Sequence, residues 1–351
     1  MRIMLVAPPW LPVPPPAYGG TEGVLDRLAR GFVAAGHDVV LFTTGDSTCP
    51  VERRYLYEQS QGIEAGTPVE LRHLLQAYEA ADGFDIVHDH TLLGPLYASG
   101  MTTTPVVTTN HGLFDGEAHA VYEEIGRKVS IIAISHDQAR SAVGIEIAAV
   151  IPHGIDIDHS AFRATSGESL LFLGRMSLSK GAHRAARLAH LTGQRLIIAA
   201  KMRESAEERY FEEQVRPLLD DRVQYVGEVG GREKLELLGG ARALINPITW
   251  REPFGLVMIE ALACGTPVLA FSYGAAPEII QEGITGYVCA DEAQMARRIG
   301  EIDRLDRTAC RDSAVADFST ERMVNDHLAL FRAILEREGR GREERTGMVT
   351  T

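Results

Sequence analysis

The sequence is poor in several features that would decide its class at once. It has four cysteines, Cys49, Cys264, Cys289 and Cys310, far apart and without a C-x-x-C pair. That usage suggests neither a disulfide framework nor a thiolate zinc site, and it fits reduced thiols in a cytoplasmic protein. No apolar run approaches the ~20 residues that a membrane-spanning helix needs, so integral membrane contact is not expected. The opening MRIMLVAPPW has too short an apolar stretch for the core of a secretory leader and runs into prolines, so it reads as a first strand. Positive charge is also short: 35 Lys+Arg stand against 48 Asp+Glu, a net −13. The deficit is concentrated in one half. Residues 1–160 carry nine Lys+Arg and twenty Asp+Glu, net −11, which leaves 35 − 9 = 26 against 48 − 20 = 28, net −2, for the rest. So acidic a half is a poor surface for nucleic acid or anionic lipid. No internal repeat occurs at solenoid periods.

What remains is a chain of 351 residues, 45% hydrophobic and 24% charged, the profile of two ordinary globular domains. Short β-branched runs alternate with helical stretches in both halves, the pattern of parallel sheets covered by helices. Strands are expected at 3–7, 39–43, 86–88, 106–109, 131–134 and 149–151, then at 170–173, 195–199, 223–226, 243–246 and 268–270. Helices are expected at 22–35, 182–191, 205–218, 233–238, 256–263 and 293–302. The fold class is therefore α/β, two Rossmann-like doubly wound domains facing across a cleft, with ligands at the carboxyl ends of the strands. The boundaries are 1–160 and 161–319, joined through a Gly, His, Asp and Ser rich stretch. An amphipathic helix at 320–337 carries Met323, His327, Leu330 and Ile334 on neighbouring turns. The Gly, Arg and Glu rich tail 338–351 is expected to be disordered.

Four groups of residues at predicted strand ends are suited to chemistry. Glu252 and Glu260 flank a helix that Gly255 opens; free N–H groups at such a start suit a phosphate, and carboxylates accept from sugar hydroxyls. Spacing alone does not separate this from a solvated loop Glu and a helix-surface Glu. Arg175 and Lys180 follow a strand through Gly174, where a fork and a point charge can clamp a diphosphate, though an Arg-x4-Lys is more often two surface cations. Tyr18-Gly19-Gly20 precedes a helix, and paired glycines admit close backbone approach; the pair is not G-x-G-x-x-G and gives no nicotinamide fingerprint. Asn110-His111-Gly112 ends a fourth strand with a histidine that can face a ligand, although a lone histidine is more often structural. Three other patterns carry less. Asp156-x-Asp158 falls in the interdomain joint. His88 and His90 can share a strand face but have no third ligand at a readable spacing. Ser135-His136 are neighbours and make no triad.

The stretch WREPFGLVMIEALACGTPVLAFSYGAAPEII resembles the E-x7-E region of retaining GT-B glycosyltransferases, in particular family 4 (glycosyltransferase group 1). The resemblance implies that Glu252 contacts the donor sugar, Glu260 holds the ribose, and the backbone of Phe254, Gly255 and Leu256 meets sugar and pyrophosphate. It implies that Arg175 and Lys180 bind the pyrophosphate, that Gly20 lies against the donor phosphate, and that His111 lies near the donor sugar. The base is expected against Val226, Glu228 and Val229. An acid that accepts from guanine in GDP-sugar relatives is missing from Val229-Gly230-Gly231-Arg232, which favours UDP over GDP. Tyr18 and His90 are candidates for the acceptor site. The expected function is transfer of a hexose-type sugar, with retention, from a UDP-sugar to a hydroxyl of a small soluble neutral or cationic acceptor, without metal or other cofactor. The alternatives are a GT-B sugar-nucleotide epimerase or phosphorylase and a non-catalytic nucleotide-sugar binding protein. The last helix is expected to return to the first domain.

Overall fold

A computed structural model describes residues 1–17 and 19–348, with the backbone alone for Ser99, His159 and residues 340–348. The chain divides into two compact units, Met1–Gly154 together with the segment from Thr320 onward, and Ile155–Ser319.

In the first unit the elements run β1 (Arg2–Val6), α1 (Gly20–Ala34), β2 (Asp38–Thr43), β3 (Glu52–Tyr55), α2 (Thr67–Glu79), β4 (Ile86–Asp89), α3 (Gly94–Met101), β5 (Val106–Thr109), α4 (Gly116–Gly126), β6 (Ser130–Ala133), α5 (His136–Ser141) and β7 (Ile147–Val150). The second unit holds β8 (Ser169–Arg175), α6 (Ala182–Thr192), β9 (Arg195–Lys201), α7 (Ser205–Tyr210), β10 (Val223–Gly227), α8 (Gly231–Gly240), β11 (Ala243–Asn246), α9 (Leu256–Ala263), β12 (Val268–Phe271), α10 (Ala276–Ile279), β13 (Gly286–Cys289), α11 (Glu292–Ile299) and α12 (Arg307–Phe318). The last helix, α13 (Thr320–Met348), counts with the first unit.

Both sheets are parallel. Their orders are β3-β2-β1-β4-β5-β6-β7 and β10-β9-β8-β11-β12-β13. Each starts at its centre, builds outward one way, then returns and builds the other way. The reversal leaves a crevice at the carboxyl ends of β1 and β4 in one sheet and of β8 and β11 in the other, the place where such folds bind ligands. Helices cover the central strands on both faces, which is why Ile3–Val6 and Leu170–Phe172 are continuous apolar runs rather than alternating ones. In the second unit Leu170, Phe172, Leu188, Leu196 and Ile198 anchor the core; in the first, Met4, Val6, Phe42, Leu74 and Tyr78 do so.

Two strands are absent from the sequence reading, β3 and β13. The first, Glu-Arg-Arg-Tyr, is an exposed edge whose charged residues protect it from further pairing and erase the apolar signal. The second is a four-residue edge; a Cβ on Gly286 would run into the backbone of Val268 on β12. The stretch expected as one helix over 205–218 is α-helical only to Tyr210 and then passes through a wider turn and a tighter one, where Pro217 has no N–H to give. The last helix runs past Arg337 to Met348, through Glu and Arg residues of high helix propensity. Its Val324 packs on α1 at Gly31, where a Cβ would collide with the valine side chain. Among the described residues no helix is long and apolar enough to cross a membrane.

Candidate active site

In the second unit the crevice between β8 and β11 is built from two loops bonded to each other. The β8 loop ends at Gly181, which is left-handed (φ 81°) and caps α6. A Cβ there would lie 2.7 Å from the carbonyl oxygen of Pro247, and Thr249 N–H donates to Ser179 O at 3.0 Å. Lys180 and Glu252, one from each loop, form an ion pair, with side chains only 17% and 16% exposed. The ring of Trp250 lies 5.3 Å from the ammonium, within reach of a cation–π attraction. The Glu252 backbone is fixed in turn. Its carbonyl accepts from Ala275 N–H at 3.0 Å, and Gly274 (φ 59°) packs so closely that a Cβ would overlap the Glu252 main chain. Next to the carboxylate, Gly255 (φ 99°) opens α9, and no side chain caps its first turn. The positive end of the helix is thus free for an anion.

Three further ion pairs lie at the same edge of the sheet. Arg175, the last residue of β8, approaches Glu207 through Nε at 3.5 Å. Glu207 is buried and completes the capping box at the start of α7, its Oε2 accepting from the N-cap Glu204 N–H at 3.3 Å and also from Arg203 N–H at 2.8 Å. Its other oxygen faces Nε, and among the described residues nothing else engages the two Nη groups of Arg175, which form a fork. Arg203 grips Glu228 bidentately, with contacts of 2.8–3.1 Å. Lys234 on α8 donates to Oε1 of Glu260 on α9 at 2.7 Å.

Of the residues expected at the donor site, Arg175, Lys180, Glu252, Gly255 and Glu260 therefore lie at one edge of one sheet. Gly174 precedes Arg175 inside β8, paired with Ala200 of β9. Glu228 is occupied by Arg203, and Val226 is exposed beside a bulge that breaks β10 before Gly227. The Phe254 side chain is buried 6.1 Å from the ring of Phe318, so only its backbone can meet a ligand; Leu256 is the first residue of α9. Glu207, Arg203 and Lys234 were not legible as site residues, since nothing in their own segments marks them.

In the first unit, His90 and His111 follow the ends of β4 and β5, and His90 Nδ1 and His111 Nε2 are 2.8 Å apart in a hydrogen bond. The His111 loop is held by a residue the sequence reading passed over. Gln138, wholly buried, donates to the carbonyls of Asn110 (2.9 Å) and Gly112 and accepts from Ile134 N–H (2.7 Å). Ser135 is spent on capping α5, accepting from Gln138 N–H at 3.0 Å. The rings of His327, His88, His90, His111 and His153 continue one another at centroid separations of 5.1, 4.1, 5.1 and 5.1 Å. Burial lowers all five pKa values, those of His111 and His327 to about 4, so the stack is neutral at neutral pH. Asp89, between His88 and His90, accepts from Tyr78 Oη and Thr91 N–H, each at 2.7 Å, and burial raises it to about 6. Among the described residues no group of three or more His, Cys, Asp or Glu is arranged to hold a metal ion.

At the end of β1, Gly20 is the first residue of α1; it is Gly19 beside it whose Cβ would meet Pro15 at 2.6 Å. Glu22, in the first turn, is buried, which raises its pKa. Tyr18 lies outside the described residues.

Two doubly wound parallel units, the second with paired cations and carboxylates at its switch point, define a glycosyltransferase of the GT-B fold. Comparison with known proteins agrees at both levels. Residues 18–159 match the family model Glycosyltransferase Family 4, and residues 167–303 match Glycosyl transferases group 1. The chain belongs to this family, glycosyltransferase family 4 of group 1. It is 28% identical to a glycogen synthase of Mycobacterium tuberculosis over 362 aligned positions, covering 86% of each chain. It is 25% identical to a phosphatidyl-myo-inositol mannosyltransferase of Mycobacterium leprae, covering 87% of this chain and 88% of that one. Among solved structures it is similar to AviGT4, a glycosyltransferase involved in avilamycin A biosynthesis, with a TM-score of 0.70 and 26% identity over 95% of this chain and 98% of that one. The fold is also that of Anabaena HepE, solved with UDP and glucose, with a TM-score of 0.75 and 19% identity over 94% and 98% of the two chains.

Proposed function

We propose that this glycosyltransferase moves a hexose-type sugar from a UDP-sugar to a hydroxyl of a small soluble acceptor, neutral or cationic, with retention of anomeric configuration. The observation that carries the donor half is the Lys180–Glu252 pair at the β8–β11 switch point, beside the uncapped start of α9. A sugar diphosphate can replace each partner, offering phosphate oxygens to Lys180 and hydroxyl donors to Glu252. The Nη fork of Arg175 and the N–H groups at Leu256 take the rest of the pyrophosphate charge, and Glu260 takes the ribose. As the glycosidic bond to phosphate breaks, negative charge grows on the leaving diphosphate, and cations already fixed there lower the barrier. Their charge is also the reason for proposing that no metal is needed.

Retention is assigned without a covalent intermediate. In this reading the departing phosphate takes the acceptor proton while the protein orients both partners. The first unit is assigned the acceptor, with His90 as its strand-end candidate and His111 kept for the donor sugar. Its acidic balance of −11 over residues 1–160 favours a neutral or cationic compound. The UDP preference rests on the missing acid after Val229 and on HepE having been solved with UDP.

The test is a thermal-shift screen of nucleotide sugars on the whole chain, since a ligand that binds the folded state raises its melting temperature. The proton spectrum of the product formed with the best donor then gives the anomeric configuration. Stabilisation by UDP-sugars above GDP-sugars, turnover that survives a chelator, and a product of unchanged anomeric configuration are expected. Epimerisation of a UDP-sugar without acceptor, or dependence on inorganic phosphate, would move the chain to one of the other GT-B reactions. Donor binding with no hydrolysis or transfer would make it a sensor.

A further inference from the structure

Glu260 does not stand alone on α9. Its Oε1 accepts from Lys234 Nζ at 2.7 Å, and both side chains are largely withdrawn from solvent. Lys234 comes from α8, the helix that follows β10, so the pair ties the element after one strand to the helix after the next. The described residues give its ammonium no second partner. A plain tether between α8 and α9 is already supplied elsewhere. Thr266 donates to Leu238 O, and the Arg307 guanidinium donates to Gly239 O and Ala241 O at 2.8 and 2.9 Å. Those contacts hold the C-terminal end of α8, and the lysine pair stands at its N-terminal end, on the edge of the sheet where the donor site lies.

What the pair does to the carboxylate is specific. A glutamate head group turns freely about its last bond and offers two equivalent oxygens. With Oε1 held by a cation, that rotation is restricted, and among the described residues Oε2 is the oxygen left for a ligand. We propose that Lys234 is a positioning residue for nucleotide recognition, which fixes Glu260 so that Oε2 accepts from the vicinal hydroxyls of ribose. The inference rests on the assignment of Glu260 to ribose and adds the residue that makes the recognition directional. Lys234 acts on nucleoside diphosphates as a class, whatever their base, because it works through the sugar ring.

The test is a calorimetric comparison of UDP with its 2′,3′-dideoxy analogue on the full chain, with GDP and dideoxy-GDP run alongside. The proteins are the unaltered chain, Lys234→Met, Glu260→Gln and the double variant. The unaltered chain is expected to prefer the ribose form by about tenfold, the scale of one hydrogen bond to a charged group. Lys234→Met and Glu260→Gln each compress that preference toward unity, and the double variant compresses it no further. Affinity for the dideoxy ligands stays near that of the unaltered chain in Lys234→Met. If Glu260→Gln loses the preference and Lys234→Met keeps it, the ribose assignment stands and the role of Lys234 is overturned. If the preference survives in Glu260→Gln, the ribose assignment falls and the inference falls with it. Should Lys234→Met not fold, Lys234→Gln, which removes the charge and keeps a donor, is read in its place; full preference there would overturn the need for a cation.

Discussion

Lys180 and Glu252, 72 residues apart, meet as an ion pair at the switch point of the second sheet, so each neutralises the other before any substrate arrives. Largely buried charges without partners would be costly, and mutual pairing offsets part of that cost. Under the proposed function donor binding would exchange partners rather than create them, with Lys180 turning to the diphosphate and Glu252 to the sugar. The ring of Trp250 lies 5.3 Å from the ammonium.

Removal of either diphosphate cation should be severe. Lys180→Ala and Arg175→Ala are expected to lower turnover by about two orders of magnitude or more, the scale set by loss of one electrostatic contact to a developing anion. Arg175→Lys should not restore activity, because a point charge replaces the Nη fork. Steady-state kinetics with the best donor from the thermal-shift screen checks this, and near-normal turnover in any of the three would sink the diphosphate assignment.

Glu207 should separate stability from activity. Glutamine at this position can still complete the capping box of α7, which accepts Glu or Gln, but it no longer presents a charge to Arg175 Nε. Glu207→Gln is expected to melt near the unaltered chain and to lose about threefold in turnover, the scale of an ion pair of about 0.5–1 kcal/mol without a hydrogen bond. Glu207→Ala should lose the cap as well, about 1 kcal/mol. Equal turnover in the glutamine variant and the unaltered chain would show that Arg175 needs no positioning.

Gly274 tests how tightly Glu252 must be placed. With φ at 59° and the Glu252 backbone against it, an alanine must strain its own dihedrals and push the glutamate loop outward. Gly274→Ala is expected to cost about 1–3 kcal/mol of stability and about a hundredfold in turnover through displacement of Glu252. A thermal melt and a turnover measurement suffice, and an intact rate would mean that the loop gives way without moving the carboxylate.

The first unit should be sensitive to acid. Burial depresses the pKa of His73, His88, His90, His111, His153 and His327 below the 6.5 of a free imidazole, three of them to about 4. The unfolded chain therefore takes up protons first as the pH falls. The stability that the neutral rings provide is complete above about pH 6.5 and is lost as the pH drops through about 4. Asp89 works the other way: its folded pKa of about 6 lies above 3.8, so it favours the folded state as the pH falls through that window. Buried Glu22 and Glu70 have the same sign as Asp89. These six rings, with His37 lowered in the same direction, outweigh the three carboxyls, and the melting temperature should fall steeply between pH 6.5 and 4. His327→Phe, next to Phe32 and Phe331, should make that fall shallower by one proton; an unchanged slope would remove His327 from the titrating set.

The sequence by itself determined the alternation of strand and helix, the α/β class and the local arrangements at strand ends. Gly255 before α9 and Arg175 at the end of β8 are properties of a few consecutive residues, which apolar runs and glycines announce. The edge strand β3 was hidden because a charged edge has no buried face to leave a pattern. Partnership was decided by tertiary structure alone. Lys180 with Glu252, Glu207 with Arg175, Lys234 with Glu260, and Gln138 with the loop of His111 join segments that parallel-sheet crossovers separate along the chain and bring together at one end of a sheet. Likewise, His327 reaches His88 through the return of α13 to the first unit. A crossover has no fixed length, so no spacing encodes these pairs; strand order does, and strand order exists only once the sheet has formed.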